Sequence, residues 1–424
     1  VRSVGPERVP LSAPDIGEAE IAAVVQVLRS GRLSLGPRLE DFEHATQRYS
    51  GAKHAVAVSS GTAGLHLALQ ALGVGPGDEV ITTPFSFVAS ANVILYRGAR
   101  PAFVDIDPRT LNIDPARIAA AITPRTRAVL VVHVFGRPAA MELILRVARR
   151  HGLAVIEDAC EAIGGQYNGQ ALGTLGDVGV FGFYPNKQMT TGEGGMLVTE
   201  RSDVARQVVR LRNQGRRSRG SQEHVEVGYN YRLSEMQCAL GVAQLSRLPA
   251  MLARRAEIAR MYERRLRGRS DLLLPAAALE DGRPSWFAYV VRLARAAGSA
   301  ERDAVVQRLA KQGIACGRYF APIHLQLPYR RAFGHAAGDF PHTEHAAART
   351  LALPFFNRIT EEQVDRVSSA LLKALALASG RKRGAVRDEA RPRCALAGDR
   401  GPSRMRSGEA RGSAAQVRAQ RGRG

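Results

Sequence analysis

HAVAVSSGTAGLHLALQAL, residues His54 to Leu72, reads as a short apolar strand, a turn of small residues and an apolar helix. The strand part, His54 to Val58, does not alternate polar with apolar residues. Both of its faces therefore need cover, the condition of a strand inside a parallel sheet. In the turn, Ser59 to Gly64, side chains are small enough for backbone N–H groups to approach an anion. The helix from Thr62 to Leu72 adds unpaired N–H groups and the positive end of its dipole at the same spot. This describes a phosphate cup in which Thr62 can donate a hydroxyl hydrogen bond. It equally describes an ordinary helix cap. No Gly-Lys-Ser/Thr follows, so it is not a Walker loop.

The same alternation continues downstream. Glu79–Thr82, Ala102–Ile106, Ala128–Val134, Leu153–Glu157 and Val178–Phe183 read as apolar strands, and Met196–Thr199 as a short one. Helical spacing occupies Ser86–Tyr96, Pro115–Ile122 and Ala139–His151 between them. The pattern predicts an α/β fold, a mostly parallel central sheet flanked by helices. Upstream, Glu18–Leu28 and Pro37–Tyr49 read as helices behind an N-terminal arm. Beyond Gly228, Ser234 caps a helix to Leu248, and Pro249–Arg267 reads as a second, arginine-rich helix. Phe287–Leu293, Arg302–Gln312 and Glu361–Leu377 predict a smaller C-terminal α+β domain. The expected division is a large domain over 1–250, a small one over 251–379 and a tail over 380–424. The tail holds almost no large apolar residues and is expected to be disordered.

The chain has 424 residues, 45% hydrophobic, with a net charge of +21. Thirteen Lys+Arg against four Asp+Glu in residues 380–424 place +9 of that charge in the tail. The rest is scattered arginine, without the aromatic-and-basic stripe or zinc-finger spacing of a nucleic-acid binder. A specific nucleic-acid or membrane partner is therefore not expected. The longest apolar run is too short to cross a bilayer. The first thirty residues lack a secretory n-region and h-region, so a cytoplasmic location is expected. Cys160, Cys238, Cys316 and Cys394 are far apart, without metal-ligand spacing, and no metal is expected.

Ligands of parallel α/β sheets sit beyond the carboxyl ends of the strands. Two further segments end there with useful groups. Glu157 and Asp158 close a buried strand, where a carboxylate needs a partner: an arginine, a helix cap or a cationic ring nitrogen. Phe181–Gly195, FGFYPNKQMTTGEGG, puts Lys187 just past another. The chain has five lysines among 60 basic residues, so a lysine here is conspicuous. Unlike arginine, lysine can deprotonate when desolvated and form a Schiff base. A phosphate cup, a buried acid and such a lysine are the parts that pyridoxal phosphate needs.

In SSGTAGLHLAL (59–69), TPFSFVASAN (83–92), VIEDACEAIGG (155–165), FYPNKQMTTGEGG (183–195), GYNYRLSEMQCALG (228–241) and APIHLQLPYR (321–330) the chain resembles the DegT/DnrJ/StrS family of sugar aminotransferases. The likeness runs from about Leu11 to Leu377. It implies the aspartate-aminotransferase-like fold, PLP-dependent transferase fold type I, with pyridoxal 5'-phosphate as cofactor. It implies that Lys187 forms the Schiff base and moves protons, and that Asp158 pairs with the pyridine nitrogen. Gly61, Thr62 and Ala63 would hold the phosphate. Phe87 would stack on the ring; the alternative is a core Phe on an apolar helix face. Glu161 falls at a further cofactor position. Asn230 would reach the phosphate in the neighbouring subunit, making a homodimer with shared active sites.

The expected substrates are a nucleotide-linked keto-sugar and an amino-acid donor, usually glutamate. Arg212, Arg216, Arg217 and Arg219 are candidates for the substrate diphosphate, or else form a solvated basic loop. Tyr319 and His324 lie in a loop that is near the active site in relatives. His133 can be read as a satisfied strand histidine. Many relatives have Gln where this chain has Glu161, and a hydroxyl residue where it has Gly182, which supplies no side-chain bond. Two rivals share the cofactor. A sugar-nucleotide dehydratase is disfavoured by Lys187, since its branch has His there. A non-catalytic, cofactor-holding regulatory protein would use the basic tail on a polyanion.

Overall fold

The computed structural model describes residues 8–218, 220–276, 281–294 and 298–385. The opening strand, His54–Val58, and its helix, Gly61–Ala71, form where the sequence places them. Seven strands make the central sheet. Their order is His54–Val58, Gly195–Thr199, Val178–Gly182, Ala154–Asp158, Thr126–Val132, Glu79–Thr82 and Arg100–Phe103. Gly195–Thr199 runs antiparallel to both neighbours, and the other six strands share one direction. The amino end of Gly195–Thr199 therefore meets the carboxyl ends of the rest. Val58 and Gly182 both pair with Gly195, and Val132 pairs with Asp158.

The apolar strands are covered on both faces, as their composition requires. One face packs against Gly61–Ala71, Ala89–Tyr96 and Ser202–Leu211 through Leu65, Leu69, Ile94, Val204 and Val208. The other packs against Pro37–Ser50 and Met141–His151 through Phe42, Met141 and Ile144. Ser202–Leu211 is amphipathic and was not anticipated from the sequence, where its arginines mask the apolar stripe Val204, Val208, Leu211.

The two helices expected around Pro249 are one helix, Glu235–Leu266. Ser234 and Gln237 close its N-terminus with a capping box. Proline removes one helical N–H bond and normally kinks or ends a helix. Here buried residues continue on both sides of it. Leu245 and Leu248 anchor in the sheet core, while Ile258, Met261 and Tyr262 anchor in a third core. The boundary expected near residue 250 falls inside this helix. The third core joins the antiparallel strands Leu272–Leu273, Tyr289–Leu293 and Thr350–Leu353 with the helices Ser299–Ala310 and Glu361–Ala385. Val9 of the N-terminal arm is buried in it. Most of the tail, residues 386–424, lies outside the described residues. No described helix is long and apolar enough to cross a membrane.

Candidate active site

A cavity of about 500 Å³ opens at the strand edge. Lys187 enters it from the loop between Val178–Gly182 and Gly195–Thr199. That loop is tied at many points. Phe183 and Gly194 bond across its base, and Thr190 and Thr191 both donate to the Phe183 carbonyl. Gln188 Nε2 donates to the Glu161 carbonyl and to Ser285 Oγ. Arg255, buried in the long helix, donates to the carbonyls of Lys187, Trp286 and Phe287 together. Burial lowers its guanidinium to about 10. One arginine thus holds the Lys187 loop against the Phe287 segment. The Lys187 ammonium lies 4.2 Å from the Phe287 ring centroid and 3.3 Å from Glu161 Oε1. A cation over a ring face and beside a carboxylate is held twice.

Asp158 ends its strand on the same side. Ser90 Oγ donates to Oδ2 at 2.7 Å, Cys160 N–H donates to Oδ1, and Ser86 Oγ lies 2.9 Å from Ser90 Oγ. Ser86 and Ser90 were not singled out in the sequence; their spacing of four on a helix start was the available signal. Glu157 points away, because successive strand residues face opposite sides. Its carboxylate accepts from His133 Nε2 and from the N–H groups of Gly173, Leu175 and Gly176. His133 Nδ1 in turn meets the Ala139 N–H, so His133 is a satisfied strand-end histidine.

The turn read as a candidate phosphate cup is the N-terminus of the helix Gly61–Ala71. Ser60 caps it, and Ser60 Oγ accepts the Ala63 N–H at 3.0 Å. Gly61 and Thr62 line the cavity beside this cap, and Ala63 does not. The wall beside them is built from close approaches. A side chain on Gly195 would strike the Ser60 carbonyl at 2.5 Å. The space beside Gly182, where many relatives carry a hydroxyl, holds Cys160: a Cβ on Gly182 would meet Cys160 Sγ at 3.3 Å. Burial pushes that thiol well above its ordinary value, and the Asp158 charge adds to the rise.

Glu161 accepts the Phe135 N–H at 3.0 Å on Oε2 and Lys187 on Oε1. Burial pushes its carboxyl up, against the pull of Lys187 and of that N–H. Phe87 precedes the helix Ala89–Tyr96 rather than lying on it, and is 63% exposed into the cavity mouth. Tyr319 lines the far wall, stacked with Phe135, Phe287 and Phe320. Burial raises its phenol, and the Glu161 charge adds to the rise.

The cavity therefore gathers Gly61, Thr62, Phe87, Asp158, Glu161, Lys187 and Tyr319. His324 is not among its lining residues. It is fully buried, bonded to Glu344 and packed on Phe340. Arg212 is also buried, bonded to Glu43 and to the Ala57 carbonyl. Arg217 pairs with Glu223 at 2.6 Å, and half-buried Arg216 faces His224 across a backbone β-bridge; neither lines the cavity. Asn230 is exposed and also outside the chain's own cavity. Arg219 lies outside the described residues.

The profile of the DegT/DnrJ/EryC1/StrS aminotransferase family matches residues 14–372. The chain belongs to that family. It is 41% identical over 374 residues to the spore coat polysaccharide biosynthesis protein SpsC of Bacillus subtilis, covering 86% of this chain and 96% of that protein. It is 41% identical over 369 residues to GDP-perosamine synthase of Caulobacter vibrioides, covering 87% and 98%. Among solved structures, the putative sugar aminotransferase Spr1654 of Streptococcus pneumoniae superposes with a TM-score of 0.85 at 28% identity. That match covers 89% of this chain and 100% of the other, in its PMP form. Spr1654 is also known in a PLP form. The fold is that of PLP-dependent aminotransferases, fold type I, and members of the family use this cofactor.

Proposed function

We propose that this aminotransferase moves an amino group from L-glutamate to the keto group of a nucleotide-linked sugar, as a cytoplasmic homodimer. The observation that carries the reading is Lys187, held against Glu161 and Phe287 in a cavity of cofactor size that the strand-end acid Asp158 also lines. The residues fit pyridoxal 5'-phosphate. Gly61 and Thr62 present N–H groups at a helix start, suited to its phosphate. Asp158, fixed by Ser90 and Cys160, offers a carboxylate to its ring nitrogen. Phe87 offers an aromatic face at the cavity mouth.

When bound, the cofactor supplies an electron sink for the carbon that gains or loses the amine. The chain's own part is to bind, orient and move protons. Lys187 Nζ carries protons to and from the reacting carbon, as a positioned amine can. Ser90 keeps Asp158 aimed by donating to it. Phe287, Tyr319 and Phe320 wall the cavity and exclude water. Asn230, outside its own cavity, serves the neighbouring subunit's cavity in the proposed dimer, with Arg216 and Arg217 near it in sequence. The nucleotide-sugar substrate is supported by the likeness to GDP-perosamine synthase.

Purified protein incubated with glutamate and a panel of keto-sugar nucleotides should give an amino-sugar nucleotide by mass spectrometry. Borohydride should fix the cofactor to Lys187. Amination of simple keto acids with none of any sugar nucleotide would overturn the substrate class.

A further inference from the structure

We propose that Glu161 is a second acid–base group of this site, which takes the proton that Lys187 must lose before its amine can attack a carbonyl carbon. The proposal rests on the cofactor reading above. An ammonium has no lone pair and cannot be a nucleophile. Something must hold its proton, in a cavity walled by Phe287, Tyr319 and Phe320. Glu161 Oε1 stands 3.3 Å from Lys187 Nζ. The proton passes from Nζ to Oε1, and the N–H electron pair stays on nitrogen as the attacking lone pair. The ion pair becomes a neutral amine beside a neutral carboxylic acid, with nothing else consumed.

The other groups facing Glu161 do not compete for this role. Asp158 already accepts Ser90 Oγ and the Cys160 N–H. The Cys160 thiol and the Tyr319 phenol are both pushed up, by burial and by neighbouring carboxylates, and hold their protons. Glu161 has one oxygen anchored by the Phe135 N–H and the other turned to Lys187. Its own carboxyl is raised by burial, with Asp158 adding and Lys187 opposing. A raised carboxyl is a stronger base than an exposed one. After the transfer it presents an O–H donor. A glutamine there would present an N–H donor but could not take up a proton, so the two side chains differ in chemistry more than in shape.

The test is the rate at which the cofactor-free full chain captures pyridoxal 5'-phosphate, followed by absorbance and by borohydride-fixed mass on Lys187. Near neutrality Glu161→Gln should capture about 10²-fold more slowly than wild type, the low end of a positioned base's effect. The gap should narrow in alkaline buffer, where hydroxide takes the proton in place of the carboxylate. Glutamine keeps the shape and the Phe135 bond, so the comparison does not depend on a disruptive change. Glu161→Ala supplies a second arm: added formate should accelerate its capture in proportion to concentration, which a structural role would not produce. Equal capture rates and equal pH slopes in wild type and Glu161→Gln would overturn the proposal alone. A wild-type chain that never captures the aldehyde would overturn the cofactor reading, and the proposal with it.

Discussion

Glu157 and Glu161 are four residues apart, both buried, and opposite in what surrounds them. Glu157 is closed: His133 and three backbone N–H groups saturate its carboxylate. Glu161 is open: one backbone N–H and Lys187 leave acceptor capacity facing a cavity. Burying a charge is costly unless hydrogen bonds replace its water. A closed acid meets that cost within the protein and fixes the chain around it, here the turn Gly173–Gly176. An open one holds its cost in reserve for a ligand or a proton. The two acids set a closed environment beside an open one within one strand and turn.

The largest effect that bears on this contrast is at the base Glu161 faces. Lys187→Ala should fold and bind the cofactor without covalent capture, and transamination should fall by about 10⁴-fold or more. Borohydride fixation and turnover check it. Retained activity would mean that the open acid serves no lysine chemistry.

Glu157→Ala should act on stability instead. It strands three N–H groups and a histidine nitrogen inside the protein, at a cost of about 3–5 kcal/mol. Urea unfolding should show the loss, while folded protein keeps its turnover per site. A cost under about 1 kcal/mol would remove the distinction drawn here.

Glu161→Gln should move stability the other way. A carboxyl raised in the fold stabilises it while protonated. That contribution is full below the unfolded value, near the ordinary 4.5, and is lost as pH rises through the folded value. Glutamine has no such loss. Melting of the cofactor-free chain should coincide with wild type near pH 4 and exceed it near pH 8. A lower melting point at both would show that Glu161 is closed after all.

The sequence made the first half of this contrast hard to see and the second half easy. Apolar, unalternating strands gave the sheet, because burial on both faces leaves a direct mark on composition. Strand ends gave Asp158 and Lys187, because topology alone brings them to one edge. Nothing in the letters told Glu157 from Asp158 beyond the alternation of a strand. Arg255 was hidden among the arginines of its helix, since its role depends on three carbonyls from two distant segments. His324 looked eligible by loop position, yet its ring is buried with Glu344 and Phe340. Pro249 looked like a break, because local propensity does not register two cores pulling on one helix. Asn230, Arg216 and Arg217 lie outside the cavity of their own chain.

The smallest effect concerns the space that keeps the open side open. Gly61, Gly182 and Cys160 meet beside the cup, and a Cβ on Gly182 would lie 3.1 Å from Cys160 Cβ and 3.3 Å from its sulfur. Those distances are tight but not impossible, so Gly182→Ser should cost about 1 kcal/mol, the low end for overpacking. Cys160→Ala removes the sulfur and leaves the Cβ, so the double variant should recover part of that loss and no more. A double-mutant cycle read by urea unfolding measures the coupling, expected at about 0.5 kcal/mol or above for side chains in contact. Cofactor affinity read on the same four proteins separates two roles for the thiol. If Cys160 only fills the volume of the missing hydroxyl, Gly182→Ser with Cys160→Ala should bind the cofactor at least as tightly as wild type. Strict additivity in both measurements would mean that Gly182 and Cys160 are unrelated, and that the wall of the cup has room the distances deny.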